Sequence, residues 1–292
     1  HGIRVEDGKA LWYKNKFVTS PFGFGPNTHV LKHGEKIYAL VEGGVSPVIM
    51  DSEMNFLEEE PFPAADNKRF TAHPKIDSDT GEMHAVSYDF GEYVNGLGQV
   101  HYVTIDSNGK LIKDQIIETP SRPMVHDCAI TKNYVLIFDL PVTFNLGRRD
   151  DDNNPIGGDY PVVWNDKHTS RVGLQNKKTD EIIWIEVNPG FLFHIVNSYE
   201  DDNGQVVLDF CRYERLFDFD NPLPMGQKPF LTRWILDPKT KTCSEEMLDD
   251  RPMEFSRVHP DFDGKQHRFG YLLNDGRLNN YFKHDFEKSE TI

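Results

Sequence analysis

Short β-type runs separated by turn residues recur along the whole of this chain, and helical periodicity is nearly absent. Runs such as Lys36-Ile37-Tyr38-Ala39-Leu40-Val41, Tyr134-Val135-Leu136-Ile137-Phe138 and Val206-Val207-Leu208-Asp209-Phe210 are rich in β-branched and aromatic residues. Between the runs stand His33-Gly34-Glu35, Asp106-Ser107-Asn108-Gly109 and Asp237-Pro238-Lys239-Thr240. These residue types tolerate positive φ or bond their own backbone, so each cluster predicts a tight turn. An all-β fold follows. Larger units of a few strands recur roughly every 50 to 70 residues, a period that suits four-stranded propeller blades around a central channel.

At 292 residues the chain is long enough to bury a substantial core, and residues 1–292 read as a single domain. A formal net charge of −15 argues against a nucleic-acid or anionic-membrane surface, since both demand clustered Lys and Arg. No run of 18 apolar residues exists to cross a bilayer, and the first residues lack the apolar segment of a signal peptide. Cys128, Cys211 and Cys243 are too few and too scattered for a disulfide framework or a zinc knuckle. A reducing cytoplasm is the expected location. Residues 145–171, with Arg148-Arg149-Asp150-Asp151-Asp152 and Gly157-Gly158, read as a solvated surface loop.

Three of the 12 histidines sit in compact contexts beside strand-like runs. They are His73 in Phe70-Thr71-Ala72-His73-Pro74-Lys75-Ile76-Asp77, His126 in Met124-Val125-His126-Asp127-Cys128, and His194 in Phe193-His194-Ile195-Val196-Asn197. Spacings of 53 and 68 residues let them meet only if successive β units converge on one axis. A jelly roll or sandwich would explain the strands but not histidines at blade-like intervals. Neutral imidazoles converging on an axis would form a site for iron, zinc or copper.

These segments, with Ala39-Leu40-Val41-Glu42-Gly43-Gly44 and Met253-Glu254-Phe255-Ser256-Arg257, resemble the carotenoid cleavage oxygenase family, which includes apocarotenoid and lignostilbene dioxygenases. The resemblance runs over nearly the whole chain. It implies a seven-bladed β-propeller, of which this length covers about four to five blades, the N- and C-terminal parts being absent. It further implies that His73, His126 and His194 are three of four ligands to one Fe(II), with Glu42 and Glu254 as outer-shell carboxylates that orient the imidazoles and balance charge. A fourth histidine and a third glutamate are expected beyond Ile292. His259, His267 and His284 are the local candidates to replace that histidine, and they read instead as turn or strand-edge residues. Glu200, followed by Asp201-Asp202-Asn203-Gly204, reads as structural.

The implied reaction is oxidative cleavage of a carbon–carbon double bond by O2 to give two carbonyl products. In the lignostilbene branch a lysine commonly precedes the first outer-shell glutamate, and this chain has Val41 there. The expected substrate is therefore an apolar carotenoid or apocarotenoid, with a hydroxystilbene as the alternative and peripheral membrane contact as a route of substrate uptake. The rival of another class is an inactive, truncated propeller that acts as a binding module. A calcium-dependent hydrolase fits least, since such sites favour carboxylate and amide oxygens. With one ligand and some blades missing, residues 1–292 alone are expected to be inactive.

Overall fold

One local device recurs in five hairpins among the described residues. Asp51, Asp77, Asp106, Asp201 and Asp237 each accept, through Oδ1, the backbone N–H two residues on, at 2.8 to 3.0 Å. The chain then leaves each turn through a residue of positive φ: Met54, Gly81, Gly109, Gly204 and Lys241. Gly109, at φ 85°, shows why glycine suits such a position, since it lacks the Cβ that opposes this conformation.

The computed structural model describes residues 2–6, 9–14, 26–42, 47–59, 70–88, 100–144, 162–218, 227–274 and 280–292. Within them, antiparallel strands form successive four-stranded sheets. The first comprises His29–His33, Lys36–Leu40, Val48–Met50 and Phe56–Glu59, and the second Lys75–Ile76, Met83–Tyr88, Val100–Ile105 and Leu111–Ile117. The third comprises Ala129–Ile130, Tyr134–Asp139, Arg171–Asn176 and Ile182–Glu186. The fourth comprises Phe191–Glu200, Val206–Tyr213, Phe230–Asp237 and the 16-residue strand Thr242–Arg257. That long strand serves two sheets. Its Thr242 to Pro252 portion pairs with Phe230–Asp237, and its Met253 to Arg257 portion opens a fifth unit with Phe269–Asn274, Tyr281–Asp285 and Glu290–Thr291. Gly2–Glu6 and Lys9–Lys14 form a separate hairpin.

The core lies where one sheet packs on the next. Tyr38 and Leu40 of the first sheet cluster with Met83, Ala85, Val103 and Ile105 of the second. Val86 and Tyr102 join Leu136 and Leu174 of the third sheet and Leu208 and Trp234 of the fourth. Cys211 and Leu231 meet Met253 and Leu272 of the fifth. A strand covered on both faces needs no polar alternation, and every residue of Met83–Tyr88 is buried. The third and fourth sheets carry the same buried ion pair between adjacent strands. Asp139 accepts from Arg171 Nε at 2.7 Å, and Asp209 accepts from Arg233 Nε at 2.7 Å, with both aspartates fully buried. A histidine sits against each carboxylate, His168 at 2.9 Å and His267 at 3.6 Å.

One sequence expectation needs correction. Within residues 145–171, read as loop, Val162–Trp164 is a buried strand paired with Val142–Phe144. Residues 145–161 lie outside the described residues.

Candidate metal centre

Five successive sheets each place one of the singled-out residues at a common centre. Glu42 follows the second strand of the first sheet. His73 precedes the first strand of the second sheet, and His126 the first strand of the third. His194 lies on the first strand of the fourth sheet, and Glu254 on the first strand of the fifth. The ring centroids of His73 and His126 are 4.7 Å apart, those of His73 and His194 5.2 Å, and those of His126 and His194 5.1 Å. One nitrogen from each ring lies within 4.8 Å of the others. Three nitrogens bound to one ion at about 2.0 to 2.1 Å lie no more than about 3.6 Å apart when evenly spaced, so a shift of at most about 0.7 Å per ring suffices.

The carboxylates select which nitrogen stays available. Glu42 Oε2 lies 2.8 Å from His126 Nδ1, and Glu254 Oε2 lies 2.5 Å from His194 Nδ1. The hydrogen bond to Glu254 fixes the His194 tautomer that leaves Nε2 as a lone-pair donor, and the Glu42 carboxylate beside His126 favours the same tautomer there. His73 has no hydrogen-bond partner at either nitrogen, and His126 has none of good geometry at either, the close Glu42 contact included, although all four atoms are buried. Buried polar atoms are normally satisfied, so four orphaned nitrogens in one cluster fit a cation with imidazole ligands. Burial is the main cause that lowers the His73 pKa to about 2, which keeps its ring neutral. Burial also disfavours a charged His126, but the adjacent Glu42 carboxylate outweighs it and raises its pKa.

Local irregularity aims these side chains. The ladder between the first two strands of the fourth sheet shifts register on both sides of Ile195, next to His194. A second shift falls between Glu254 and Arg257, and bulges of this kind redirect side chains. Phe255 takes a φ of 53°, its N–H donates to the Glu254 carboxylate, and its ring stacks on His194 at 4.8 Å. Glu254 is 2% exposed, more buried than its polar neighbours in sequence suggest. Phe193 sets its edge against His126 at 5.0 Å and packs on Phe191, Tyr213 and Phe217. An aromatic wall therefore adjoins the imidazoles.

Among the described residues, no fourth histidine joins the trio. His259 is exposed and accepts the Asp261 N–H at 3.4 Å. His267 is bound up with Asn197 and Asp209, and His284 with Thr291 at 2.7 Å. Glu200 serves structure, accepting from the Thr131 hydroxyl and the Asn133 backbone. Three contributors escaped the sequence reading. The Tyr88 hydroxyl donates to Glu42 Oε1, and Lys75 pairs with Asp127 at 3.0 Å. The available signal was position, two residues after His73 and one after His126.

The chain is 33% identical to the carotenoid cleavage oxygenase of Mycobacterium tuberculosis, over 94% of this chain and 66% of that protein. It is 28% identical to resveratrol cleavage oxygenase 1 of Chaetomium globosum, over 82% of this chain and 42% of that protein. The cobalt-substituted apocarotenoid oxygenase of Synechocystis superposes with a TM-score of 0.75 at 24% identity, covering 91% of this chain and 59% of that one. Its likeness identifies the fold as the oxygenase-type β-propeller. The chain thus spans about two thirds or less of the relatives it matches. The family described as retinal pigment epithelial membrane protein matches residues 1–292, and the chain belongs to it, among the carotenoid cleavage oxygenases.

Proposed function

We propose that this protein uses O2 to cleave a carbon–carbon double bond of an apolar carotenoid or apocarotenoid, at an Fe(II) ion held by His73, His126 and His194. The observation that carries the reading is the convergence of the three imidazoles, with orphaned nitrogens on His73 and His126 and with Glu42 and Glu254 set against Nδ1 of His126 and His194. Iron bound there would supply activation of dioxygen beside the alkene. Both oxygen atoms are incorporated: the carbon–carbon double bond breaks and two carbonyl groups form, with no external reductant. The chain's residues prepare the site. Glu42 and Glu254 hold the Nδ1 protons, orient the rings and offset the charge of a cation among neutral ligands. Phe193 and Phe255 pack on those rings and present an apolar surface beside them to the substrate.

Val41 favours a polyene over a hydroxystilbene, because it offers no cation to a phenolic oxygen. Delivery of a polyene brings the protein to a membrane surface, and no described helix is long and apolar enough to cross one. Free Cys128, Cys211 and Cys243 suit a reducing compartment such as the cytoplasm. Incubating the whole protein with an apocarotenal and with a hydroxystilbene under oxygen, followed by analysis of carbonyl products, tests the reading. Aldehyde formation from the apocarotenal is expected. Faster cleavage of the hydroxystilbene would move the substrate class, and no carbonyl product from either would remove the activity.

A further inference from the structure

The fully buried carboxylate of Asp127 touches the chain just after each of the three histidines. Asp127 itself follows His126, and its Oδ1 accepts the N–H of Cys128 at 2.7 Å. Its two oxygens receive Lys75 Nζ at 3.0 and 3.3 Å, two residues beyond His73. Its Oδ2 also accepts the backbone N–H of Ile195, the residue after His194, at 3.3 Å. The strand ladder is irregular on both sides of Ile195, so this N–H donates to the side chain of a neighbouring sheet. The Cys128 thiol adds a weaker tie, donating to the carbonyl oxygen of His73 at 3.7 Å. Three segments from three sheets are thereby pinned to one group.

We infer that Asp127, with Lys75, is a positioning clasp that sets the spacing of the three imidazoles for a metal ion, an inference that rests on the metal-centre reading above. A buried ion pair is weak evidence for stability, because apolar residues of similar volume often serve as well. Nor does this pair balance the charge of a cation, since Lys75 cancels Asp127. What it supplies is direction. A carboxylate has two oxygens with several lone pairs, enough to receive an ammonium and two backbone N–H groups at once. Glu42 and Glu254 orient individual rings, and the clasp fixes the backbones that carry them.

The test uses the double variant Lys75→Met/Asp127→Asn in the protein expressed from its complete reading frame, with Co(II) as the probe. The exchange preserves net charge and approximate volume. It is expected to weaken Co(II) binding about 10- to 100-fold, the usual cost of disturbing outer-shell support, and to shift the visible absorption bands of the bound ion. The melting temperature of the metal-free protein should move by only a few degrees. A Co(II) affinity within about twofold of the unaltered protein, with an identical spectrum, would overturn the clasp while leaving the metal centre intact. If the double variant fails to fold, Asp127→Glu, which keeps the charge beside Lys75 but displaces the carboxylate, is titrated instead, with the same two outcomes. Failure of the unaltered protein to bind Co(II) would overturn the metal centre, and the clasp with it.

Discussion

Glu254 Oε2 lies 2.5 Å from Nδ1 of His194, although 60 residues separate the two in the chain. The contact joins the fourth sheet to the fifth, and the 2.8 Å contact of Glu42 with His126 joins the first to the third. Both carboxylates act on Nδ1, so both leave Nε2 as the donor. Glu42→Gln and Glu254→Gln are each expected to weaken metal binding by about 10- to 100-fold, since an amide accepts less strongly and carries no charge. Competition against a chelator measures the loss. Unchanged affinity in both variants would return these residues to a purely structural role.

Tyr88 supports Glu42 from the second sheet. Burial, reinforced by the Glu42 carboxylate, raises its pKa, so the hydroxyl remains a donor throughout the useful pH range. Tyr88→Phe removes a hydrogen bond to a charged acceptor and is expected to cost about 1.5 to 3 kcal/mol in urea unfolding of the metal-free protein. A loss below about 0.5 kcal/mol would mean that water replaces the hydroxyl without penalty.

The pairs Asp139–Arg171 and Asp209–Arg233 hold the third and fourth sheets from inside. Arg171→Met leaves the Asp139 carboxylate buried without its guanidinium and is expected to cost about 3 to 5 kcal/mol. The double change Asp139→Leu/Arg171→Met removes both charges and should recover much of that loss. Denaturant midpoints for the two variants make the comparison, and equal destabilisation would contradict it.

Two buried histidines away from the centre set a pH dependence. Burial is the main cause that lowers the pKa of His84 to about 3 and that of His267 to about 4, from an ordinary 6.5. The unfolded chain binds protons at these positions as pH falls below about 6.5, whereas the folded chain does not until much lower pH. Stability is therefore present above that pH and lost on acidification, by up to about 1.4 kcal/mol per pH unit for each histidine. Melting temperatures of metal-free protein between pH 7 and pH 5 should fall. A flat profile in the unaltered protein would show that the two rings protonate in place.

The hairpins were legible because their chemistry is local: an aspartate, the N–H two residues on and a following residue at positive φ lie within one turn. His73, His126 and His194 were legible from compact surroundings, and Glu42 from its apolar approach. Glu254 was less so. Polar Ser256 and Arg257 beside it suggest a surface, yet its carboxylate is buried next to a register shift. Lys75 and Asp127 were not legible, since 47 acidic residues offer many partners and the true one lies 52 residues away. The strand Val162–Trp164 was hidden by the polar segment between it and its partner Val142–Phe144. Nor did the mostly exposed residues of Thr242–Arg257 announce one strand serving two sheets.

The most direct measurement is the metal content of the purified whole protein, set beside that of a His73→Ala/His126→Ala/His194→Ala variant whose circular dichroism matches it. Iron near one equivalent in the unaltered protein, with none in the variant, is the expected result. Folded protein that takes up no iron, or a variant that keeps it, would contradict a metal centre at these three histidines.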